Sequence, residues 1–335
     1  MKDYLSERKQ YVQIQNSKSD KISLLCGVPQ GSVLGPLLFL IYMNDLPNNL
    51  VSSKSILFAD DTSIYKSSAT ISELYSTMNV ELNKLDRWFR ANKLSLNVGK
   101  SNYMLFTKIK NPKGMKSLTI GGNSIERKDC VKCLGINIDE NLTWATHINF
   151  CKAKISSSIY AIKRIKNIVP NTYLRTLYYT LIQPFLTYGI TLWGATYTTH
   201  RNKLFLLQKR VIRIISGAKY NDHTTPIFKN LNILKLDDIY KVQIARIIFP
   251  FKQNTLPHPI QMLFRLNRNL HNKVTRQSDY LNFKKCRTTL ATQSIIYTGP
   301  KIWNALPSNI KSTTIGTTKR FTAILNLHLI QEYST

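Results

Sequence analysis

An α+β fold is predicted by three patterns in the chain. Up to about residue 140, short alternating apolar runs are separated by tight turns; one long amphipathic helix lies among them; beyond about residue 143 the periodicity is almost wholly helical. The expectation is an antiparallel sheet with helices, then a mostly helical region, then a C-terminal helical region, with boundaries at 1–145, 146–253 and 254–335.

Residues 4–26 read as a β-hairpin, because Val12 and Ile14 alternate before a polar turn at 16–21 and Ile22, Leu24 and Cys26 alternate after it. A loop dense in Gly and Pro follows, Gly27-Val28-Pro29-Gln30-Gly31-Ser32-Val33-Leu34-Gly35-Pro36. It opens a helix in which Pro36 suits the first turn and Leu37, Leu38, Ile41 and Tyr42 have helical spacing, until Leu46-Pro47 ends it. In 55–65, two apolar, β-prone runs meet at adjacent aspartates, Asp60 and Asp61, a hairpin with acid at its tip. Thr70 and Glu73 form a capping box for a helix whose Ile71, Leu74, Met78, Leu82, Leu85 and Phe89 step by three or four, ending near Ala91-Asn92. Leu94-Ser95-Leu96-Asn97-Val98-Gly99-Lys100 leads to a strand at 103–106, a tight hairpin turns at Gly121-Gly122, and 132–138 reads as one further strand.

Helices are expected at about 147–168, 171–196, 200–217 and 236–252, with Pro170 and Pro184 as start or kink signals. On the third, Arg201, Lys203, Lys209, Arg210 and Arg213 accompany an apolar stripe of Leu204, Leu207, Val211 and Ile214, so one face packs while another carries charge. The segment 254–293 is polar, basic and poor in periodicity and reads as linker; a last unit spans about 295–330.

Charge narrows the function. The chain holds 47 Lys+Arg against 18 Asp+Glu, net +29, and the excess is uneven: 19 basic and 13 acidic residues lie in 1–150, but 28 and 5 in 151–335. A polyanion is the natural partner, and the second half is its electrostatic footprint, since phosphate backbones are held largely by Lys and Arg. Five cysteines spread over the chain do not suggest a disulfide framework, and the Cys130-x-x-Cys133 pair lacks the second pair that a zinc finger needs. The apolar run 36–43 is too short to span a bilayer, and 181–197 is interrupted by Gln183 and Pro184, so no membrane association is expected.

Two adjacent carboxylates repel, so one titrates upward unless a cation keeps both ionised. Mg²⁺, which takes one or two carboxylates together with substrate phosphates, is the natural cation. A glycine loop leading into a helix lets backbone approach a ligand closely and offers N–H groups to phosphate, and the Gln30 amide both donates and accepts. Each signal alone is equally that of a solvated turn.

In order and spacing, the 27–36 loop, Phe58-Ala59-Asp60-Asp61, Leu96-Asn97-Val98-Gly99-Lys100 and Cys133-Leu134-Gly135-Ile136 resemble successive palm motifs of a reverse transcriptase, in the wording of non-LTR (LINE-type) retrotransposons of the jockey, CR1 and L2 kind. The resemblance covers roughly 4–250, and Tyr297-Thr298-Gly299-Pro300-Lys301-Ile302-Trp303-Asn304-Ala305-Leu306-Pro307 resembles the end of the same reading frames. It implies a partial polymerase palm over 1–145, a helical thumb over 146–253 and a basic linker with a C-terminal region over 254–335. It also implies two Mg²⁺ ions, with Asp60 and Asp61 as catalytic metal ligands and Lys100 near the triphosphate. Pro29, Gln30, Gly31, Phe58 and Ala59 would bind substrate, and Leu134 and Gly135 would belong to the hairpin that grips the primer end. The basic helix with Arg201, Lys203, Lys209, Arg210 and Arg213 would hold nucleic acid. Implied partners are an RNA template, a DNA primer or target, the RNA–DNA hybrid and a deoxynucleoside triphosphate; nuclear localisation follows only by analogy.

The chain departs from the family pattern before Gly27, where Asp3, Glu7 and Asp20 have no context matching the first palm aspartate. The expectation is therefore an N-terminally truncated palm that does not extend a primer alone. The alternatives are a non-catalytic nucleic-acid-binding retroelement relic and, less in keeping with the LINE-like wording, an intron-type maturase.

Overall fold

In this computed structural model the described residues are 2–25, 27–110, 112–270, 276–283, 285–311 and 317–333. The chain divides into two units, Met1–Lys128 and Asp129–Thr335.

In the first unit a one-turn helix α1 (Lys2–Leu5) precedes an exposed ribbon: β1 (Lys9–Gln10) pairs with β4 (Ile22–Ser23), and β2 (Gln13–Ile14) with β3 (Ser17–Lys18), all antiparallel. The turn lies earlier than expected, because Gln15 takes a left-handed φ of 52° and closes the chain at once, with Ile14 opposite Ser17. Cys26, expected on the second strand, lies outside the described residues. Helix α2 (Leu34–Met43) follows the glycine loop.

Strands β5 (Lys54–Phe58) and β6 (Asp61–Tyr65) form the acidic hairpin in the register Lys54↔Tyr65 to Phe58↔Asp61. Their burial has a period of two: Ser55, Leu57, Thr62 and Ile64 are half-buried, while Ile56, Phe58, Asp61 and Tyr65 are exposed. Leu57 and Ile64 of the half-buried face pack on the core built largely by α3 (Ile71–Ala91), and of the expected capping box only the N-cap half forms: Thr70 Oγ1 accepts from the Glu73 N–H at 3.3 Å, while the Glu73 carboxylate accepts from the Ser68 hydroxyl at 2.5 Å. Tyr75, Leu82, Leu85, Trp88 and Phe89 of α3 are the centre of this unit's core.

The strand expected at 103–106 is shorter: β7 (Asn102–Tyr103) pairs, in parallel, with β10 (Glu126–Arg127). The Gly121-Gly122 hairpin forms as β8 (Thr119–Ile120) and β9 (Asn123–Ser124), both glycines having positive φ. A single antiparallel sheet does not. The described strands make six separate pairs, and one of them is parallel. Two-residue strands supply too few ladder bonds to join, and the helical core does the organising instead.

The second unit begins with a correction. Residues 132–138 are not one strand but the two facing edges of a hairpin, β11 (Cys130–Cys133) and β12 (Ile136–Asp139). Leu134 (φ 45°) and Gly135 (φ 84°) both adopt the left-handed conformation that a tight two-residue turn requires. The Asp139 carboxylate accepts the N–H groups of Thr143 (2.9 Å) and Trp144 (2.7 Å) ahead of α4 (Ala145–Ile165).

The helix expected at 171–196 is broken into α5 (Asn171–Leu181), α6 (Gln183–Thr187) and α7 (Ile190–Trp193). Pro184 lies in the first turn of α6, and Gly189 (φ 62°) precedes α7. Helix α8 (Thr198–Ser216) is followed by an unforeseen α9 (Thr224–Asn230) and by α10 (Leu236–Lys252), which has Asp237 and Asp238 in its first turn.

The 254–293 segment is not a bare linker. It holds α11 (His258–Gln261), α12 (Thr289–Thr292) and a bridge between Leu266 and Leu281, and it buries Phe264, Leu266 and Leu281. Helices α13 (Ile295–Ala305), α14 (Ser308–Lys311) and α15 (Thr318–Gln331) complete the chain. Both α13 and α15 pack on α10, with Phe249 and Phe321 stacked at 4.4 Å, so one apolar core runs from Ile136 to Tyr333. Among the described residues no helix is long and apolar enough to cross a membrane.

Candidate active site and nucleic-acid interface

In the first unit the acid pair sits where the sequence places it. Phe58 and Asp61 are the last paired residues of the hairpin, so Ala59 and Asp60 form its turn, with Ala59 at a φ of 51°. Asp60 and Asp61 are exposed, and Phe58 beside them is 62 % exposed. The base of the hairpin is tied down. The Lys66 Nζ donates to the Ser52 carbonyl at 2.8 Å, and the buried Glu81 carboxylate of α3 accepts from the N–H groups of Val51 (2.9 Å) and Ser52 (3.4 Å). Burial alone would raise the Glu81 carboxyl, but the Lys84 ammonium and these N–H groups outweigh it and hold the group below its ordinary value.

Pro29, Gln30 and Gly31 are exposed in the loop before α2. Gly27 and Gly31 have φ near +80°, and a Cβ on either would meet nothing within 4 Å, so backbone conformation rather than crowding calls for glycine there. The Tyr4 hydroxyl donates to Ser32 Oγ at 2.6 Å, Ser32 Oγ accepts the Gly35 N–H at 3.1 Å, and Arg8 bonds the Gly27 carbonyl. Lys100 closes a 3₁₀ turn over Val98–Lys100, where its N–H is capped by Asn97 Oδ1 at 3.2 Å, and its side chain is exposed.

Among the described residues no group of three or more His, Cys, Asp or Glu forms. Asp60 and Asp61 are nonetheless a suitable partial donor set: two adjacent, exposed, hard-oxygen ligands fit a cation that keeps water and phosphate in its remaining positions.

In the second unit Leu134 and Gly135 form the tip of the β11–β12 hairpin, and the Tyr188 hydroxyl donates to the Leu134 carbonyl at 2.5 Å. Tyr188 also packs its ring where a Cβ on Gly135 would lie, at 3.3 Å.

The five basic residues of α8 do not form one stripe. Lys209 and Arg213, four apart, share a face with Phe205; Lys203 and Arg210, seven apart, share another. The Arg201 Nε is paired with the Asp237 carboxylate at 2.9 Å and its Nη1 donates to the Gly194 carbonyl at 3.1 Å, so this cation also ties α8 to α7 and α10. The packed stripe is Leu204, Val211, Ile212 and Ile215, with Leu207 and Ile214 at its half-buried margin. Within it Gln208 is fully buried, donating to the Tyr178 hydroxyl (2.8 Å) and the Leu234 carbonyl (2.9 Å) and accepting from the Leu236 N–H (2.9 Å). Lys235, which precedes α10, was not singled out by the sequence and lines a pocket with Lys209 and Arg213. Its position follows from the fold alone, since 22 residues and an unforeseen helix separate it from Arg213.

Residues 1–138 match the family of reverse transcriptases (RNA-dependent DNA polymerases). The chain is 29 % identical over 251 residues to the RNA-directed DNA polymerase from mobile element jockey of Drosophila melanogaster, an alignment covering 71 % of this chain and 27 % of that protein. It is 28 % identical over 276 residues to the jockey polymerase of Drosophila funebris, covering 79 % and 30 %. To the probable RNA-directed DNA polymerase from transposon X-element of Drosophila melanogaster it is 27 % identical over 246 residues, covering 71 % and 27 %. The chain thus spans less than a third of the length of these relatives, whose names give them as RNA-directed DNA polymerases, in one case probable, of mobile elements. No solved structure matches it.

Proposed function

We propose, from the match of residues 1–138 to the reverse transcriptase family, that this chain is the palm and thumb part of a retrotransposon RNA-directed DNA polymerase that joins deoxynucleotides to a primer 3′-hydroxyl on an RNA template. The observation that carries the reading is the exposed Asp60–Asp61 pair at the tip of a two-stranded hairpin within the matching segment.

Asp60 and Asp61 hold Mg²⁺ in this reading. Bound there, it would lower the pKa of the attacking hydroxyl and neutralise charge on the phosphates. The chain's own residues do the positioning. Gln30 and Gly31, on a loop whose backbone is open to a close approach, orient the incoming nucleotide. Lys100, exposed on its capped turn, offers a point charge to the triphosphate. The Leu134-Gly135 turn, braced by Tyr188, supports the primer end, and the basic helix α8 holds the hybrid through its phosphates. Residues 1–145 are thereby assigned to the palm, 146–253 to the thumb and 254–335 to a basic C-terminal region. Two carboxylates are fewer donors than a two-metal centre uses, so we propose that primer extension needs further acid ligands and that the isolated polypeptide does not extend a primer.

The test separates the enzyme from a binding relic. Purified protein is titrated with a labelled RNA–DNA hybrid and a deoxynucleoside triphosphate, with and without Mg²⁺. Binding that Mg²⁺ strengthens in the wild type but not in Asp60→Asn or Asp61→Asn supports the reading. Salt-sensitive binding indifferent to Mg²⁺ and to both substitutions indicates the relic. Nucleotide incorporation by the chain alone, abolished in Asp60→Asn, would refute its proposed inactivity.

A further inference from the structure

We infer that the pocket between α8, the loop that follows it and the start of α10 is a site for one phosphate group of a nucleic-acid strand. The inference rests on the nucleic-acid-binding part of the reading above and gives it a specific place.

The pocket has a volume of about 290 Å³, room for a phosphate and its adjoining sugar. Three cations from two separate stretches of sequence line it: Lys209 and Arg213 on one face of α8, and Lys235 beside α10. The acid in its lining, Asp222, is turned to backbone, its Oδ2 accepting the Lys219 N–H at 2.6 Å. Arg213 holds the loop by donating from Nε to the Asp222 carbonyl at 2.9 Å, which uses one of the five guanidinium donors.

Both lysines are held by aromatic faces. The Lys209 Nζ lies 4.5 Å from the centre of the Phe205 ring, and the Lys235 Nζ lies 4.2 Å from that of Tyr333. An aromatic face fixes an ammonium in place without cancelling its charge. Asp238, the acid nearest to Lys235 in influence, is itself engaged by the Lys241 Nζ at 2.8 Å and the Tyr333 hydroxyl at 2.6 Å. Burial lowers the pKa of Lys235, Asp238 opposes this, and the like charges of Lys209 and Lys241 lower it again. Like charges pressed together in a concave site lose that repulsion when an anion enters.

Phosphate is the anion that fits, because planar guanidinium and point-charge ammonium donors together match its oxygens, and polyanion binding already accounts for the unit's charge. An internal phosphodiester and a terminal 5′-monophosphate share this chemistry.

The experiment compares two charge-matched double variants of the full chain in hybrid binding followed by fluorescence anisotropy across a salt series. Lys209→Gln/Lys235→Gln empties the pocket of its ammonium groups; Lys301→Gln/Lys319→Gln removes the same charge from exposed positions on α13 and α15. The pocket variant is expected to bind about 10-fold more weakly with a log–log salt slope reduced by roughly 1, the control by less than about 3-fold, and Lys209→Arg/Lys235→Arg to retain binding. Circular dichroism melting confirms that each variant is folded. A loss confined to 5′-phosphorylated strands assigns the pocket to a chain end, and an equal loss with 5′-hydroxyl strands assigns it to an internal diester. Equal losses in the two double variants, or none in the pocket variant, overturn the pocket while leaving the functional reading intact. Absence of any hybrid binding by the wild type overturns both.

Discussion

The Glu81 carboxylate accepts the Val51 N–H at 2.9 Å, joining the middle of the unit's long helix to the chain that enters the acidic hairpin. Glu81 is 2 % exposed, and its other oxygen takes the Lys84 ammonium at 3.2 Å. A buried carboxylate with these partners positions the hairpin that carries Asp60 and Asp61.

Replacing Glu81 by Ala takes the charged acceptor away from the N–H groups of Val51 and Ser52, which lie on an exposed stretch, and is expected to cost about 2 kcal/mol; Glu81→Gln, which keeps one acceptor oxygen, about 1 kcal/mol. Because the folded carboxyl titrates below its ordinary value near 4.5, its contribution is present above that pH and is lost as pH falls through the lower, folded value. Urea unfolding should therefore show the gap between wild type and Glu81→Gln at pH 7 and a narrowing of it below pH 4.5. A constant gap across that range would contradict the assignment.

How far the sequence reaches is visible in these residues. Asp60 and Asp61 are legible because a hairpin is local: alternation fixes the strands and the turn falls between them. Glu81 is not, since it lies among α3 residues that a helical wheel assigns to a polar margin, and only the arrival of Val51 from a distant loop gives it a role. Alternation alone reads through the β11–β12 turn because its first residue, Leu134, is apolar; the hairpin there is legible only through the family resemblance, and the left-handed φ of Leu134 and Gly135 shows how the chain reverses. Lys209 and Arg213 were legible as basic helix residues. Lys235 was not, because convergence in space leaves no periodic trace.

Gly194 marks a close approach. A Cβ there would lie 2.5 Å from the Ile190 carbonyl oxygen and 2.4 Å from Tyr240 Cδ2, and the carbonyl, being backbone, cannot swing away. Gly194→Ala is expected to cost about 3 kcal/mol or more, through overpacking. Gly217 is a contrast: at a φ of 72° with nothing near its Cβ position, Gly217→Ala meets only backbone strain, about 1 kcal/mol. Thermal melts of the two variants should rank in that order.

Cys151 is buried against His147, with Sγ 3.6 Å from Nε2. The pair looks like an activated thiol, but burial pushes the Cys151 pKa up to about 11 and that of His147 down, which removes both the thiolate and the imidazolium. Iodoacetamide at neutral pH should leave Cys151 unmodified in the native protein and label it only after denaturation, as read by mass spectrometry. Rapid native labelling would show that this part of the core opens.

Tyr333 is the last of the described residues and ties the end of the chain to the start of α10. Its hydroxyl donates to Asp238 Oδ2 at 2.6 Å and accepts the Lys235 N–H at 2.9 Å, while its ring lies under the Lys235 ammonium. Burial drives its pKa upward first, and the bond to Asp238 adds to the effect, so the phenol stays neutral and remains a donor. The two substitutions therefore separate two roles. Tyr333→Phe removes the hydroxyl but keeps the ring; Asp238 retains Lys241, and the expected cost is about 1–2 kcal/mol with phosphate-pocket affinity preserved. Tyr333→Ala also removes the ring that holds Lys235, and a cavity penalty brings the cost to about 3–5 kcal/mol. If the ring positions Lys235, hybrid binding at a temperature where both variants are folded should weaken in Tyr333→Ala and not in Tyr333→Phe. Equal binding by the two would show that Lys235 keeps its place without the aromatic face.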